Sequence, residues 1–297
     1  MEYQKTLSEK ISLEGQGIFT GKTIRVEIEP AGIDTGIVFI REDLAHKPEI
    51  PLKIENVVGL DGATALTDGT HFIYLVEHLL SALHGLQIDN AIVKVYGEEV
   101  PLLDGSAYPW VRKIQEKGYQ YLFYPRKKFR LKKPFYYKNG HGALVFKPAN
   151  TLKIKASISF DHPVIGYQEM ELEINPRNYL KEVCFARTFG FKDILLERIK
   201  KGILKGGDLS SAIILDQEKV LNPEGLRSED EFVRHKVLDL VGDLFALGNS
   251  LMAEVEATSS HHRLHIEALK SLYASGLLEE VEERALTFLL LSKRKRF

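Results

Sequence analysis

The segment EFVRHKVLDLVGDL, Glu231 to Leu244, combines an apolar helical pattern with a narrow polar stripe. Within it, His235, Asp239 and Asp243 follow one another at intervals of four residues. At about 100° per residue, such positions lie almost above one another on a helix. A histidine and a carboxylate at this spacing can reach one metal ion. The alternative is a surface ion pair, which contributes only roughly 0.2–0.5 kcal/mol.

The overall composition is that of a globular protein with a full core. The 297 residues are 44% hydrophobic and 27% charged, with a net charge of −1, so nothing indicates nucleic-acid binding. No signal-like segment or apolar run long enough to span a bilayer is present, which predicts a cytoplasmic protein. The single cysteine, Cys184, excludes an intrachain disulfide. A metal site would therefore consist of His, Asp and Glu.

The first half of the chain has the pattern of strands followed by helices. Alternating apolar residues predict strands in TIRVEIEP, TGIVFIR, EIPLKIENVV and NAIVKVYG. Helices are predicted at 73–84 and, after a turn at 104–106, up to residue 116. The segment YPRKKFRLKKPF then interrupts the pattern with two prolines and six basic residues. We therefore predict a domain boundary near residue 125.

The second half repeats this order of elements. Strands are predicted in ALVFKP, LKIKASISF, YQEMELEI and AEVEAT, and helices at 191–201, 231–248 and 262–275. A polar helix, LEEVEERALTFLLLSKRKRF, is predicted to close the chain. Its basic end indicates either a solvated tail or a weak attraction to an anionic membrane surface. The fold class is therefore α+β, with two similar domains, residues 1–124 and 125–297.

Two further segments contain histidines in unusual settings. In VEHLLSALH, Glu77 and His78 are adjacent within an apolar helix, and His84 follows too late for an HExxH motif. Neighbours on a helix point about 100° apart, so they cannot both face solvent if the helix packs on a sheet. The segment SSHHRLH has three histidines directly after a predicted strand. For Glu77 and His78, the alternative is a polar pair at the edge of a helix. For the three histidines, it is a polar connection between a strand and a helix.

Taken together, the three segments fit a catalytic metal site. His78, His235 and Asp239 would supply three ligands and leave a fourth position open, as in catalytic rather than structural zinc sites. Zinc is the expected ion, although such ligands also accept iron(II). Glu77 is placed to take a proton from water, and His262 to protonate a leaving group.

The sequence resembles the UDP-3-O-acyl-N-acetylglucosamine deacetylase family, zinc amidases of lipid A biosynthesis, as far as about residue 275. Six blocks in the same order carry the resemblance: EGQGIFTGK, VEHLLSALHGLQIDN, EVPLLDGSA, ARTFGF, LKGGDLSSAIILD and NPEGLRSEDEFVRHKVLDLVGDLFALG. It implies two stacked α+β domains with their helices between the two sheets. It also implies that a monomer removes acetate from an acylated UDP-amino sugar, whose acyl chain lies along residues 191–205.

The resemblance assigns roles to individual residues. The implied zinc ligands are His78, His235 and Asp239, the implied base is Glu77, and the implied acid is His262. Supporting catalytic roles are implied for Asp243, Lys236 and Thr188, and substrate contacts for Phe189, Gly207 and Lys236.

The chain also departs from the family pattern. The departures are Phe19 for a histidine, Leu75 for a threonine, Ser259-Ser260-His261 for a basic residue followed by glycine, and His265 for an asparagine. They leave open the alternative that the protein is a zinc deacetylase that acts on a different acylated amino sugar. A non-catalytic relative that binds sugar nucleotides is the other alternative, against which the complete set of site residues argues.

Overall fold

The computed structural model describes residues 2–282. The first ten strands are β1 (Tyr3–Leu7), β2 (Ile11–Gln16), β3 (Thr23–Pro30), β4 (Ile37–Arg41), β5 (Glu49–Pro51), β6 (Val57–Gly59), β7 (Thr64–Thr67), β8 (Phe72–Tyr74), β9 (Ala91–Val95) and β10 (Tyr119–Pro125). The others are β11 (Lys127–Leu131), β12 (Phe135–Asn139), β13 (Gly142–Pro148), β14 (Lys153–Ser159), β15 (Tyr167–Glu173), β16 (Phe189–Phe191), β17 (Ile213–Leu215), β18 (Ser250–Thr258) and β19 (Leu278–Glu282). The helices are α1 (Glu77–Gly85), α2 (Tyr108–Lys117), α3 (Pro176–Glu182), α4 (Lys192–Lys200), α5 (Glu231–Leu244) and α6 (His262–Ala274).

Two sheets organise the chain. The first has the strand order β2-β3-β9-β4-β5, and the second contains seven strands, with β18 paired to β11, β13 and β14. Helix α5 packs against β14 and β15, α2 packs against β2, and α1 contacts both α2 and α5. Helices α1, α2 and α5 thus lie between the two sheets, and this packing of helices on strands confirms the α+β fold class. Within residues 2–282, no helix is both long and apolar enough to cross a membrane.

The two halves of the chain approach each other closely at Gly242 on α5. A Cβ atom added there would lie 2.1 Å from the carbonyl oxygen of Glu77 and 3.1 Å from the backbone nitrogen of Ser81. Only a glycine lets the α5 backbone come this near to α1. This contact brings the first turn of α1 against the polar stripe of α5.

We expect Gly242→Ala to destabilise the fold and to displace Glu77. Alanine favours a helix over glycine by about 1 kcal/mol, whereas overpacking against backbone atoms typically costs about 1–3 kcal/mol. The clash should therefore outweigh the helical preference. Denaturant unfolding measures the difference, with Gly32→Ala as the control, because its Cβ would meet only the Thr35 hydroxyl at 3.8 Å. Equal stability of both variants would contradict the close contact.

His84 is a buried histidine at the same helix pair. Its Nδ1 lies 2.8 Å from the carbonyl oxygen of Val241, its Nε2 lies 3.2 Å from the hydroxyl of Ser250, and its ring stacks on Phe245. Burial lowers the pKa of His84 from 6.5 to about 4. The folded state therefore holds this imidazole neutral.

The free energy of unfolding should consequently fall as the pH falls from 6.5 to about 4. In that window the unfolded chain binds a proton at His84 and the folded chain does not, so protonation favours unfolding. The difference between the two pKa values corresponds to roughly 3 kcal/mol. Urea titrations at about pH 7.5 and pH 4.5 should show a smaller loss for His84→Gln, which can still donate to Val241 but does not titrate. An identical pH dependence in both proteins would show that His84 contributes nothing.

The domain boundary near residue 125 stays a prediction, supported by the pairing of the strands around it. Strand β10 pairs with β1, with Pro125 opposite Tyr3, and thus closes the first part of the chain. Strand β11 begins at Lys127 and belongs to the seven-stranded sheet.

Several predicted elements differ from the structure. The helix expected at 73–84 begins only at Glu77, because 72–74 pair with β7 and Leu75 has a left-handed φ of 60°. The segment EIPLKIENVV is two short strands separated by a 3₁₀ helix, Ile54–Asn56. Helix α3 was not predicted, although Asn175, which caps it, and Pro176 at its first position are typical start signals.

The end of the described chain is also different. The prediction of a closing helix was wrong for the segment LEEVE, which forms strand β19 and pairs antiparallel with the basic strand β11. Glu279 lies opposite Arg130, and Glu282 lies opposite Lys127, so cross-strand charge pairs favour the strand. The rest of that segment, including KRKR, lies outside the described residues.

Candidate metal centre and active site

Three helices bring the candidate site residues together. Glu77 and His78 lie in the first turn of α1, the polar stripe lies on α5, and His262 is the first residue of α6. All of these side chains are buried between the helices. The side chains that were predicted from separate segments therefore form one cluster.

The candidate metal ligands are close enough to share one ion. Asp239 Oδ1 lies 3.7 Å from His78 Nε2 and 3.1 Å from His235 Nε2, and ligand atoms of the three residues lie within 4.8 Å of one another. Asp239 Oδ1 is fully buried and has no hydrogen-bond partner among residues 2–282. A buried carboxylate oxygen without a partner is destabilising. A divalent cation would satisfy it, so this residue set fits a metal ion.

The surroundings orient these ligands. His235 Nδ1 lies 3.1 Å from the carbonyl oxygen of Ala186, to which it can donate, and this leaves Nε2 free for the cluster. The loop that carries this carbonyl is fixed by Arg187, whose backbone N–H and Nε both donate to Glu231 Oε1 at the start of α5. Glu231 is itself fully buried. An internal ion pair thus fixes the loop that orients the candidate metal ligand His235.

Lys236 and Phe189 border the cluster. Lys236 Nζ donates to Asp239 Oδ2 at 2.9 Å and lies 5.8 Å from the centre of the Phe189 ring. Burial alone would raise the pKa of Asp239, but its interactions with His235 and Lys236 outweigh this effect and hold the pKa well below its usual value. Asp239 is therefore an anion.

Glu77 lies beside the candidate metal ligands, with one carboxylate oxygen fixed and the other facing the site. Its Oε2 accepts a hydrogen bond from the backbone N–H of Thr64 at 2.9 Å, and its Oε1 lies 3.9 Å from His262 Nε2. Burial raises the pKa of Glu77 above its usual value. A carboxylate with a raised pKa is a better proton acceptor near neutral pH than an exposed one.

Asp243 holds two histidines. Its Oδ2 lies 2.8 Å from His262 Nδ1 and 2.7 Å from His265 Nδ1, and its Oδ1 accepts from the Thr64 hydroxyl at 2.6 Å. Burial opposes ionisation of Asp243, but the charge and hydrogen bond of His262 lower its pKa to about 2. Burial likewise opposes the charged form of His262, yet Asp243, Asp239 and Glu77 raise its pKa to about 9. His262 is therefore protonated at neutral pH.

The other predicted site residues, Thr188, Phe189 and Gly207, lie outside the three helices. The backbone of Thr188 is fixed by Gly105 and Ile213 at the start of β16, directly before Phe189. Gly207 has a left-handed φ of 92°, and a Cβ atom added to it would lie 3.3 Å from the Ser211 hydroxyl oxygen and 3.4 Å from Ile18 Cγ2. Phe189 thus borders the candidate metal ligand His235, with ring centres 6.4 Å apart, whereas Gly207 belongs to a loop against the first half of the chain.

Two departures from the family pattern contact each other. His265 Nε2 lies 2.8 Å from the hydroxyl of Ser260, so the serine and the histidine form one hydrogen-bonded unit behind Asp243. Ser259 has a left-handed φ of 46°, a conformation that residues other than glycine seldom adopt. His261 is exposed and accepts a hydrogen bond from the backbone of Leu264 at the start of α6. The structure thus brings His262 rather than His261 to the cluster.

Thr64 was not predicted from the sequence. It is an ordinary strand residue in ATALT, and nothing in its local pattern indicates contact with Asp243, which follows 179 residues later.

This combination of groups defines a metal-dependent hydrolase: three ligands for one ion, a buried carboxylate on one side, and an imidazole held by an aspartate on the other. The chain belongs to the UDP-3-O-acyl N-acetylglycosamine deacetylase family, whose sequence model matches residues 4–274.

Individual relatives support this assignment over most of their length. The UDP-3-O-acyl-N-acetylglucosamine deacetylase of Teredinibacter turnerae is 42% identical over 271 residues, which cover 91% of this chain and 89% of the relative. The protein of the same name from Pseudomonas entomophila is 42% identical over 274 residues, covering 91% and 90%. That from Syntrophus aciditrophicus is 36% identical over 282 residues, covering 95% and 88%.

Proposed function

We propose that this chain hydrolyses the N-acetyl group of UDP-3-O-acyl-N-acetylglucosamine and releases acetate, the committed step of lipid A biosynthesis. The observation that carries the proposal is that Asp239 Oδ1 has no hydrogen-bond partner in the described chain. It lies between the two proposed histidine ligands, and Glu77 and His262 lie beside this group. The names of the relatives supply the substrate.

The metal would be held by His78, His235 and Asp239, with Zn²⁺ as the proposed ion and Fe²⁺ as the alternative. When bound, such an ion polarises a carbonyl group and lowers the pKa of a bound water molecule to about 7. The buried N/O donor set, without cysteine, suits either ion.

Glu77 and His262 divide the proton transfers between them. Glu77 takes the proton from the attacking water, and its Oε1 faces the cluster because Oε2 is occupied by the Thr64 N–H. His262 protonates the departing nitrogen from Nε2, because Asp243 holds Nδ1. The pKa of about 9 keeps this proton available at neutral pH. Such groups typically contribute about 10²–10⁴-fold each.

The developing oxyanion would be stabilised by Lys236 and Thr188. Lys236 lies on the open side of Asp239, with its side chain 20% exposed, and can reach a substrate oxygen. Removal of one such donor in other enzymes costs about 2.7–4 kcal/mol. Phe189 and Gly207 are proposed to contact the substrate, Phe189 through its ring beside Lys236.

The acyl chain would lie along α4, which carries exposed apolar side chains at Ile194, Leu196 and Ile199. We place the enzyme in the cytoplasm as a monomer, with no nucleic-acid partner. We also propose that the basic tail attaches the protein weakly to an anionic membrane surface.

Acetate release tests the proposed function. Purified protein should hydrolyse UDP-3-O-acyl-N-acetylglucosamine and act poorly on the same acylated sugar without the nucleotide. The reverse preference would favour a deacetylase of another acylated amino sugar. Binding of the UDP-sugar without any acetate release, in protein loaded with zinc or iron(II), would favour the non-catalytic relative.

A further inference from the structure

Thr64 donates hydrogen bonds to both sides of the proposed active site. It is the first residue of β7 and is fully buried. Its backbone N–H donates to Glu77 Oε2 at 2.9 Å, and its hydroxyl donates to Asp243 Oδ1 at 2.6 Å. One residue of the first half of the chain therefore contacts the proposed base directly, and contacts the proposed acid through Asp243.

We propose that Thr64 is a positioning residue that fixes the proton acceptor and the proton donor of the reaction relative to each other. The proposal rests on the roles assigned above to Glu77 and His262. It adds a residue whose side chain reaches the reacting groups only through other side chains.

The geometry around Asp243 explains why the hydroxyl matters. Oδ2 contacts two imidazole nitrogens, from His262 and His265, so both of these contacts lie on one side of the carboxylate. The Thr64 hydroxyl is bound to Oδ1, on the other side, and so prevents the carboxylate from rotating about its Cβ–Cγ bond. Without it, Oδ1 would be a buried acceptor that lacks this donor, and the carboxylate would turn towards a new one. His262 Nε2 would then move with it.

The backbone bond has a matching effect on Glu77. Because Oε2 is held by the Thr64 N–H, Oε1 is the oxygen that faces His262 Nε2 across 3.9 Å. The two bonds of Thr64 therefore set the gap in which the substrate amide must lie. A misplacement of about 1 Å in such an arrangement can lower the rate about 100-fold.

Thr64→Val tests the side-chain part of this arrangement. Valine keeps the β-branched shape for the strand and leaves the backbone N–H on Glu77, so it removes only the hydroxyl. We expect kcat to fall about tenfold or more, with KM within about twofold of wild type and with unchanged metal content. Thr64→Ser restores the hydroxyl and should recover most of the lost kcat. A residue that only stabilises the fold would lower the melting temperature and leave kcat unchanged.

A double mutant shows whether the hydroxyl acts through His262. In a His262→Gln background, Thr64→Val should slow the residual reaction by less than about twofold, because coupled residues are not additive. Thr64→Ala provides the same deletion if the valine variant does not fold. Wild-type kcat in a folded valine or alanine variant would overturn the proposal, as would a serine variant as slow as the valine variant.

The outcomes also separate this inference from the proposed function. Full activity in Glu77→Gln or His262→Gln would remove the roles on which both depend. Slow turnover in those two variants, together with wild-type turnover in Thr64→Val, would refute the role of Thr64 alone.

Discussion

Asp239→Ala protein is expected to lose most of its bound divalent metal, whereas wild-type protein should carry about one ion per chain. The reason is that Asp239 Oδ1 lies between the two candidate histidine ligands and has no other partner in the described chain. Loss of the ion removes several kcal/mol of transition-state stabilisation. Acetate release should therefore fall by at least about a hundredfold. Elemental analysis after gel filtration measures the metal, and a coupled assay measures acetate.

His78→Ala should give the same result, and His84→Gln is the matched control. His84 is also buried and lies on the same helix, but it contacts the backbone of Val241 rather than Asp239. At about pH 7.5, where the imidazole of His84 is neutral, its replacement should leave the metal content unchanged. Full metal occupancy in both Asp239→Ala and His78→Ala would refute the ligand set.

The helical part of the site was predictable from the sequence because a helix repeats regularly. Residues four apart lie on one face, so the stripe His235, Asp239 and Asp243 predicts its own geometry without knowledge of the fold. The structure places these three side chains together and buries them. The convergence of α1 with α5 was inferred from the ligand chemistry that the segments share and from the resemblance, since no local pattern tells which helices pack together.

Contacts that depend on tertiary packing were not predictable. Thr64 has the local pattern of any strand residue, and its role follows from the approach of β7 to α5. The segment LEEVE contains good helix formers, yet pairing with the basic strand β11 makes it strand β19. In both cases the deciding neighbour is more than 140 residues distant in sequence.

The two substitutions at the start of α6 are a further case. From the sequence, Ser260 and His265 are separate departures from the family pattern. In the structure they are hydrogen-bonded to each other, and His265 also holds Asp243. The imidazole of His265 thus takes part in the support of His262. Burial and the nearby charge of His262 lower the pKa of His265, whereas the pKa of His262 is raised, so the two imidazoles on Asp243 shift in opposite directions.

Glu77→Gln and His262→Gln are each expected to lower kcat by about 10²–10⁴-fold while the metal content stays near that of wild type. Glutamine keeps much of the size and polarity of each side chain but cannot accept or donate the proton that the reaction moves. The metal ligands His78, His235 and Asp239 are unchanged in both variants. A large fall in kcat without loss of the ion would therefore assign proton transfer, rather than metal binding, to these two side chains.

His261→Gln is the matched control, because it changes the neighbouring histidine of the same pair. His261 is exposed at the start of α6 and bonds only to the backbone of Leu264 among its described side-chain contacts. Its replacement should leave kcat within about twofold of wild type and cost at most about 1 kcal/mol of stability through the weakened helix cap. A slow His261→Gln enzyme beside a fast His262→Gln enzyme would reverse the assignment, and it would require α6 to begin one residue earlier. The 2.8 Å contact between His262 Nδ1 and Asp243 Oδ2 argues for His262 as the proton donor, because it leaves only Nε2 of this imidazole facing Glu77.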